Sequence, residues 1–424
     1  MTMAPSTANL AIWTISAIAT AAVIVRPFKA PEALWAMGGA LLLLATGLLP
    51  FSDGLAAVAK GWDVYLFLIG MMLLSEVARR EGLFDWVAAY AVNHAQGSPR
   101  RLFLLIYVVG VVVTVFLSND ATAVVLTPAV FAAARKAKVD PLPYLFICAF
   151  VANAASFVLP ISNPANIVLY GDHTPPLGRW LASFGLPALL AILATYGVLR
   201  LVEANRLGQT CERDIDQPAL SRGGKLALAG IGLTALSLVI VSAFDRPLGL
   251  PTALLGVATT ILVPIAARAS PWPVLKSVSW SVLPLVAGLF VLVEALGRTG
   301  LINRLADGLK TSSEAGPSLT AAAGGGILAI ASNLMNNLPA GLIASTALAQ
   351  AQPPRVVTDA LLIGVDLGPN LSITGSLATI LWLTAIRREG EDVTFWRFLR
   401  VGALVMPPAL VLAIGARLLL ESAG

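Results

Sequence analysis

The stretch FLSNDATAVVLTP, from Phe116 to Pro128, sets Asn119, Asp120 and Thr122 inside an otherwise apolar run with no basic residue between Arg101 and Arg135. A lone carboxylate in apolar surroundings is costly to keep charged, so it marks a site or takes up a proton. Three more polar breaks interrupt apolar runs, at Ser162–Asn166, Asn333–Pro339 and Ser372–Thr379. As candidate solute ligands the breaks supply Asn119, Thr122, Ser162, Asn163, Asn166, Asn336, Asn337, Ser372, Thr374, Ser376 and Thr379, and Gly375 adds a place for the backbone to turn. Amides and hydroxyls both donate and accept, which suits a neutral polyhydroxyl solute. No Arg, Lys or His falls inside any break. A carboxylate or phosphate carrier more often offers a cation, although helix N-termini partly replace one. Asp120 and Asp366 are the acids this reading places deep among the breaks. A buried carboxyl that alternates between charged and neutral forms can load and unload protons, which makes both candidates for proton coupling.

The elements that must carry these breaks follow from composition. Of 424 residues only 12% are charged and 57% are hydrophobic, with a mean hydropathy of +0.83. A soluble protein carries about 25% charged residues. Apolar blocks such as Leu102–Leu117 and Lys225–Phe244 approach the ~20 residues a membrane helix needs. The chain reads as an all-α polytopic membrane protein of about ten transmembrane helices. They are expected over 9–25, 33–49, 62–78, 143–170, 181–200, 226–244, 250–267, 280–297, 356–386 and 398–420. Two further regions, 102–135 and 318–351, hold polar residues at their middle and read as re-entrant hairpins, whose backbone is tolerable only against protein or a cavity. Pro160, Pro164 and Gly375 are suited to interrupting the helices over 143–170 and 356–386.

Charge asymmetry sets the orientation. With the N-terminus outside, 20 of the 28 Lys and Arg residues fall on the inner side, as cytoplasmic loops require. If either hairpin crossed once, later loops would change sides and the bias would weaken. A pI near 9.4 therefore reflects topology and not nucleic-acid binding, since no basic patch interleaves with aromatics. No cleavable signal is expected, because Arg26 and Lys29 follow the first apolar run.

The halves resemble each other. WDVYLFLIGMMLLSEVARREG, from Trp62, lines up with WSVLPLVAGLFVLVEALGRTG, from Trp280, pairing Trp62, Gly70, Glu76, Arg80 and Gly82 with Trp280, Gly288, Glu294, Arg298 and Gly300. At nearly the same offset SNDAT at Ser118 meets MNNLP at Met335, and SNPAN at Ser162 meets GSLAT at Gly375. The threading makes the repeats inverted, the arrangement of many secondary transporters. It divides the chain into N-terminal helices (1–60), a first repeat (61–202), a cytoplasmic linker (203–225), connecting helices (226–279), a second repeat core (280–386) and a C-terminal helix (387–424). The linker's mixed charges read as a solvated connector. Glu76 and Glu294 each precede an Arg by four residues, where an ion pair forms naturally, so neither is placed in the site.

Other chemistries find little support. Cys148 and Cys211 are too few and too far apart for a metal or redox motif, and no cofactor is implied. His94 and His173 fall in expected loops. An intramembrane hydrolase could use Ser376 or an Asp120–Asp366 dyad, but no His or Lys lies in the breaks to activate the serine.

At FLSNDATAVVLTP, SNLMNNLPAGLIAS and LGPNLSITGSLATILW the chain resembles the ArsB arsenite permease family of the ion transporter superfamily. The resemblance extends over nearly the whole chain. The Asn-Asp-x-Thr pattern alone is shared with sodium/proton antiporters and carboxylate carriers, which stay open as alternatives. The resemblance implies export of trivalent arsenite and antimonite across the bacterial inner membrane, coupled to proton entry, by a transport block moving against a scaffold. Some members use a separate ATPase subunit; GLPTALLG near Gly249 lacks the Gly-Lys-Ser/Thr ending of a Walker motif.

Overall fold

The computed structural model describes residues 5–171, 174–208, 211–216, 219–244 and 246–423. His173 lies outside them. Among the described residues every element is helical. The first half runs through α1 (Pro5–Val25), α2 (Glu32–Ala45), α3 (Phe51–Lys60), α4 (Trp62–Arg80) and α5 (Leu83–Ala95). A hairpin follows, formed by α6 (Pro99–Phe116), α7 (Asn119–Ala121), a π-helical stretch (Thr122–Leu126) and α8 (Thr127–Lys136). A broken helix then joins α9 (Leu142–Ala154) to α10 (Pro164–Tyr170), and α11 (Leu177–Val202) ends the half.

The second half repeats this order. It contains α12 (Arg222–Ala243), α13 (Gly249–Ala266), the short α14 (Trp272–Ser277), α15 (Val282–Arg298) and α16 (Leu301–Ala315). Its hairpin is α17 (Pro317–Met335) with α18 (Asn337–Ala351), its broken helix α19 (Arg355–Leu367) with α20 (Leu377–Arg388), and α21 (Phe395–Ala423) closes the fold. The constant offset that pairs Trp62 with Trp280 also pairs the starts of α2 and α13 within a residue, and those of α5 and α16, α6 and α17, and α11 and α21. The broken helices sit at a smaller offset, after a shorter preceding loop.

Among the described residues seven helices are long and apolar enough to cross a membrane, including α6 and α17, the first arms of the two expected hairpins, or up to nine if each of two bent pairs counts as one span. The expected ten differ for local reasons. α2 stops at Ala45 because the chain turns through Gly47 at φ +70°. The helices over 143–170 and 356–386 are each broken, so neither half passes alone. Of the most apolar window of α12 only 28% is buried. A helix apolar on all sides and so little covered by protein requires a lipid environment.

The repeats interlock instead of lying side by side. α4 packs on α13 of the other half, and α15 packs on α2. The matched glycines explain the approach: a Cβ at Gly70 would stand 2.2 Å from the Thr252 carbonyl oxygen, and one at Gly288 2.7 Å from the Ala36 carbonyl carbon. Between apolar helices in lipid, such small-residue contacts are a main source of packing energy.

Two expectations need correction. Glu76 does pair with Arg79 and Arg80, at 2.5 and 3.0 Å, but Glu294 pairs with Lys60 at 2.7 Å and Arg298 with Asp53. α3 lies along α15 and supplies both partners, so an inter-helix exchange replaces the local pair. The linker is also no free connector. The Glu212 amide donates to the Ala137 carbonyl (2.9 Å), Lys138 pairs with Glu212 (2.8 Å), Arg206 with Asp140 (3.2 Å), and Asn93 exchanges hydrogen bonds with the backbone of Ile215. The Lys138 hydrogen bond holds the Glu212 carboxyl below its ordinary range.

Candidate functional site

Each hairpin reverses at one non-glycine residue of positive φ, Ser118 (135°) in the first and Asn336 (73°) in the second. Such residues cost free energy and persist where surrounding structure holds them. Both then cap the helix that follows: Ser118 Oγ accepts from the Ala121 amide and Asn336 Oδ1 from Leu338, as N-cap residues do. This geometry shifts the repeat register at the tips by one residue. Ser118 is equivalent to Asn336 and Asn119 to Asn337, where sequence similarity set Ser118 opposite Met335.

The two broken helices cross-brace. In the first, Asn163 caps α10 through the Ala165 amide and donates its own amide to Asp366 Oδ1 at 2.8 Å. In the second, Ser376 caps α20 through the Thr379 amide and donates its hydroxyl to Asn153 Oδ1 at 3.3 Å. Asn153 also donates to Asn370 Oδ1 (3.0 Å), and Asn370 to the Phe150 carbonyl (3.2 Å). Each hairpin is tied in. Ser162 donates to the Val115 carbonyl at the end of α6 (3.0 Å). Asn333 on α17 donates to the Gly368 carbonyl (2.9 Å) and accepts from the Ser372 amide and hydroxyl (3.0 and 2.8 Å).

The candidate residues divide by what their polar atoms do. Thr122 shares a hydrogen bond with Thr114 (2.8 Å), Thr374 donates to the Asn333 carbonyl (3.0 Å), and Thr379 to the Ile373 carbonyl (2.7 Å). Together with Ser162, Ser372 and Ser376 they hold the breaks in shape. Gly375 ends a 3-10 turn that packs tightly on another, since a Cβ there would meet Pro369 Cα at 2.5 Å and Asn333 Oδ1 at 2.7 Å. Other atoms remain open: Asn119 Oδ1, Asn166 Oδ1 and Asp366 Oδ2 are buried with no hydrogen-bond partner among the described residues. The Asn166 amide is already given to the Ser156 carbonyl at 2.8 Å. Asp120 is half-buried at the first tip, which packs against α9 and α20. Buried polar atoms are nearly always satisfied, so each open oxygen is a place for a solute or water.

Sequence reasoning missed Asn153, Asn333 as a ligand of the second break, and Asn370. It also missed a third deep acid. Asp359 is fully buried, pairs with Arg417 on α21 at 2.7 Å, and accepts the Tyr170 hydroxyl at the end of α10. Glu32 is buried as well and, with Asn336, lines a cavity of about 10 Å³ between α1, α2, α15 and the second hairpin. Cys148 is buried in α9, Cys211 in the linker, and His94 ends α5 stacked on Tyr90. Among the described residues no group of His, Cys, Asp and Glu could hold a metal ion.

A family profile described as citrate transporter, CitMHS, matches residues 12–386. The chain belongs to the CitMHS family. Within that family it is similar to the arsenical pump membrane protein of Escherichia coli, with 28% identity over 89% of this chain and 91% of the relative. The arsenical pump membrane protein of Yersinia enterocolitica is 29% identical over the same shares. The resemblance carried by the hairpin motifs is therefore borne out. The YdaH transporter of Alcanivorax borkumensis shares the fold, with a TM-score of 0.60 at 16% identity over 88% of both chains. This CitMHS protein is a multi-pass membrane transporter and not an enzyme.

Proposed function

We propose that this CitMHS protein exports arsenite and antimonite, as neutral trihydroxides, from the cytoplasm in exchange for protons across the bacterial inner membrane. The observation that carries the reading is that three buried oxygens are left open, on Asn119 and Asn166 within the breaks and on Asp366, which Asn163 of a break holds, while no basic residue falls inside any break. A trihydroxide donates three hydrogen bonds and needs acceptors, which Asn119, Asn166 and Asp366 offer. The relatives named as arsenical pumps support the same cargo.

In this mechanism Asn119, Asn166 and Asn337 contact the cargo, and the Ser and Thr residues hold the breaks. Asp366, with Asp120 as a second acid, gives up its proton inward as cargo binds and takes one from outside as cargo leaves. The two hairpins and broken helices move as a block against α4 and α15. The test is gradient-driven arsenite accumulation in everted vesicles by the native protein and by Asp366→Asn and Asp120→Asn. Uptake that needs the proton gradient and is lost in one variant supports export and names the acid. Gradient-dependent citrate uptake without arsenite uptake favours the carboxylate reading suggested by the family's description; sodium movement alone favours a sodium/proton antiporter. A need for an added ATPase subunit is read from the same vesicles by adding ATP.

A further inference from the structure

A surface groove lies far from the polar breaks, where α6 begins, α11 ends and the linker first turns. It has a volume of about 460 Å³, and its walls include Arg100, Tyr196, Arg200, Leu201 and Leu207. Its lining is mostly apolar, yet two guanidiniums stand at its rim. Neither has an acidic partner among the described residues: Arg200 reaches only the Tyr196 hydroxyl and ring, and Arg100 makes no ion pair. The neighbouring Arg206, by contrast, is taken up by Asp140 and Glu203. The floor is open because Gly197 lies there, with nothing within 4 Å of where its Cβ would stand. Leu201 is 77% exposed beside it.

The position fixes the surroundings. Arg100 is in the first turn of one membrane-length helix and Arg200 in the last turn of another, so both sit at headgroup depth on one side of the bilayer. An apolar slot flanked by two arginines without acidic partners at that depth matches an anionic phospholipid, with its phosphate at the guanidiniums and an acyl chain running inward along Gly197. A zwitterionic lipid has a cation that cancels this attraction, and a free anion has no use for the apolar floor.

We propose that this groove binds an anionic phospholipid, with Arg100 and Arg200 holding the phosphodiester and the Gly197 face of α11 holding a chain. The site is independent of the cargo reading and stands or falls separately from it.

The test is native mass spectrometry and thermal unfolding of the purified full-length protein, titrated with phosphatidylglycerol, phosphatidylcholine or inorganic phosphate. We expect phosphatidylglycerol adducts and a raised melting temperature with phosphatidylglycerol only. Arg100→Ala with Arg200→Ala is expected to weaken phosphatidylglycerol binding roughly thirtyfold. Gly197→Phe, which fills the slot and leaves both charges in place, is expected to weaken it as well. Equal protection by phosphatidylcholine overturns the proposal without recourse to any variant. Undiminished phosphatidylglycerol binding in the folded variants overturns it too, and an equal effect of inorganic phosphate marks an anion site with no lipid role.

Discussion

Asn163 donates its side-chain amide to Asp366 across 2.8 Å, joining the two broken helices. The contact has a counterpart in the other half. Asn153 occupies in α9 the place Asp366 occupies in α19, and it accepts from Ser376, the residue equivalent to Asn163. The crossing is thus braced twice by one pattern, once with an acid and once with an amide. The difference of one residue type gives a pseudo-symmetric frame a single ionisable member at this level.

That asymmetry separates coupling from folding. Asp366→Asn keeps an acceptor oxygen for Asn163, so stability should change by less than about 1 kcal/mol. Gradient-driven uptake should nevertheless be lost, because an amide cannot exchange the proton. Asn163→Ala should behave oppositely. It removes the cap of α10 and the amide donor to Asp366, and we expect a loss of roughly 2–4 kcal/mol. Thermal unfolding in detergent beside vesicle uptake distinguishes the two; equal melting temperatures for both variants would refute the bracing role.

Asn333 is the joint between the second hairpin and the second break, bonding Gly368 and Ser372 through its side chain and Thr374 through its carbonyl. Asn333→Ala strands the Ser372 amide and removes a donor from the Gly368 carbonyl, while the Ser372 hydroxyl keeps Thr374 at 3.0 Å, for an expected cost of about 1–3 kcal/mol. If the joint serves transport, the variant should also fail to protect the 368–376 segment from amide exchange. Unchanged exchange there would mean that the break holds its shape without the hairpin.

The close approaches at Gly70 and Gly288 are related by the repeat. Gly70→Val presses into the backbone of α13 and Gly288→Val into that of α2, and overpacking of this kind costs about 1–3 kcal/mol. We expect both variants to lower the melting temperature, and by similar amounts. A loss at one site alone would show that only one of the two seams is tightly packed.

The hairpins and breaks were legible in sequence because Asn, Asp and Ser in the middle of long apolar runs have few structural explanations. The repeat was legible because Trp, Gly, Glu and Arg recur together. Other features left weaker traces. Asn153 and Asn370 sit beside the breaks, one within a continuous helical pattern and the other just ahead of Ser372, and only the crossing brings them together at 3.0 Å. The tip register was misread because similarity matches amide to amide, Asn119 to Asn336, whereas the chain reverses at Ser118 and Asn336. Glu294 found Lys60 instead of Arg298 because α3, a short helix outside the repeated motif, lies across its path.

Asp359 and Arg417 are far apart in sequence, and each alone reads as an ordinary charge near a helix end. Together they form an ion pair with side chains 0% and 6% exposed, bounded by the Tyr170 hydroxyl and by Glu421 at 3.0 Å from Arg417. Pairing in a protein interior repays desolvation only when both partners are present, and removing one costs about 3–5 kcal/mol. Arg417→Gln should therefore destabilise the protein strongly, since Arg355, at 3.7 Å from Asp359, is a poorer substitute. Asp359→Asn combined with Arg417→Gln should recover much of the loss, because neither member of the buried pair is then left charged without the other. A double-mutant cycle on unfolding in detergent measures this directly. Strictly additive losses would mean that the two side chains do not act on each other and that α21 is held to α19 by apolar packing alone.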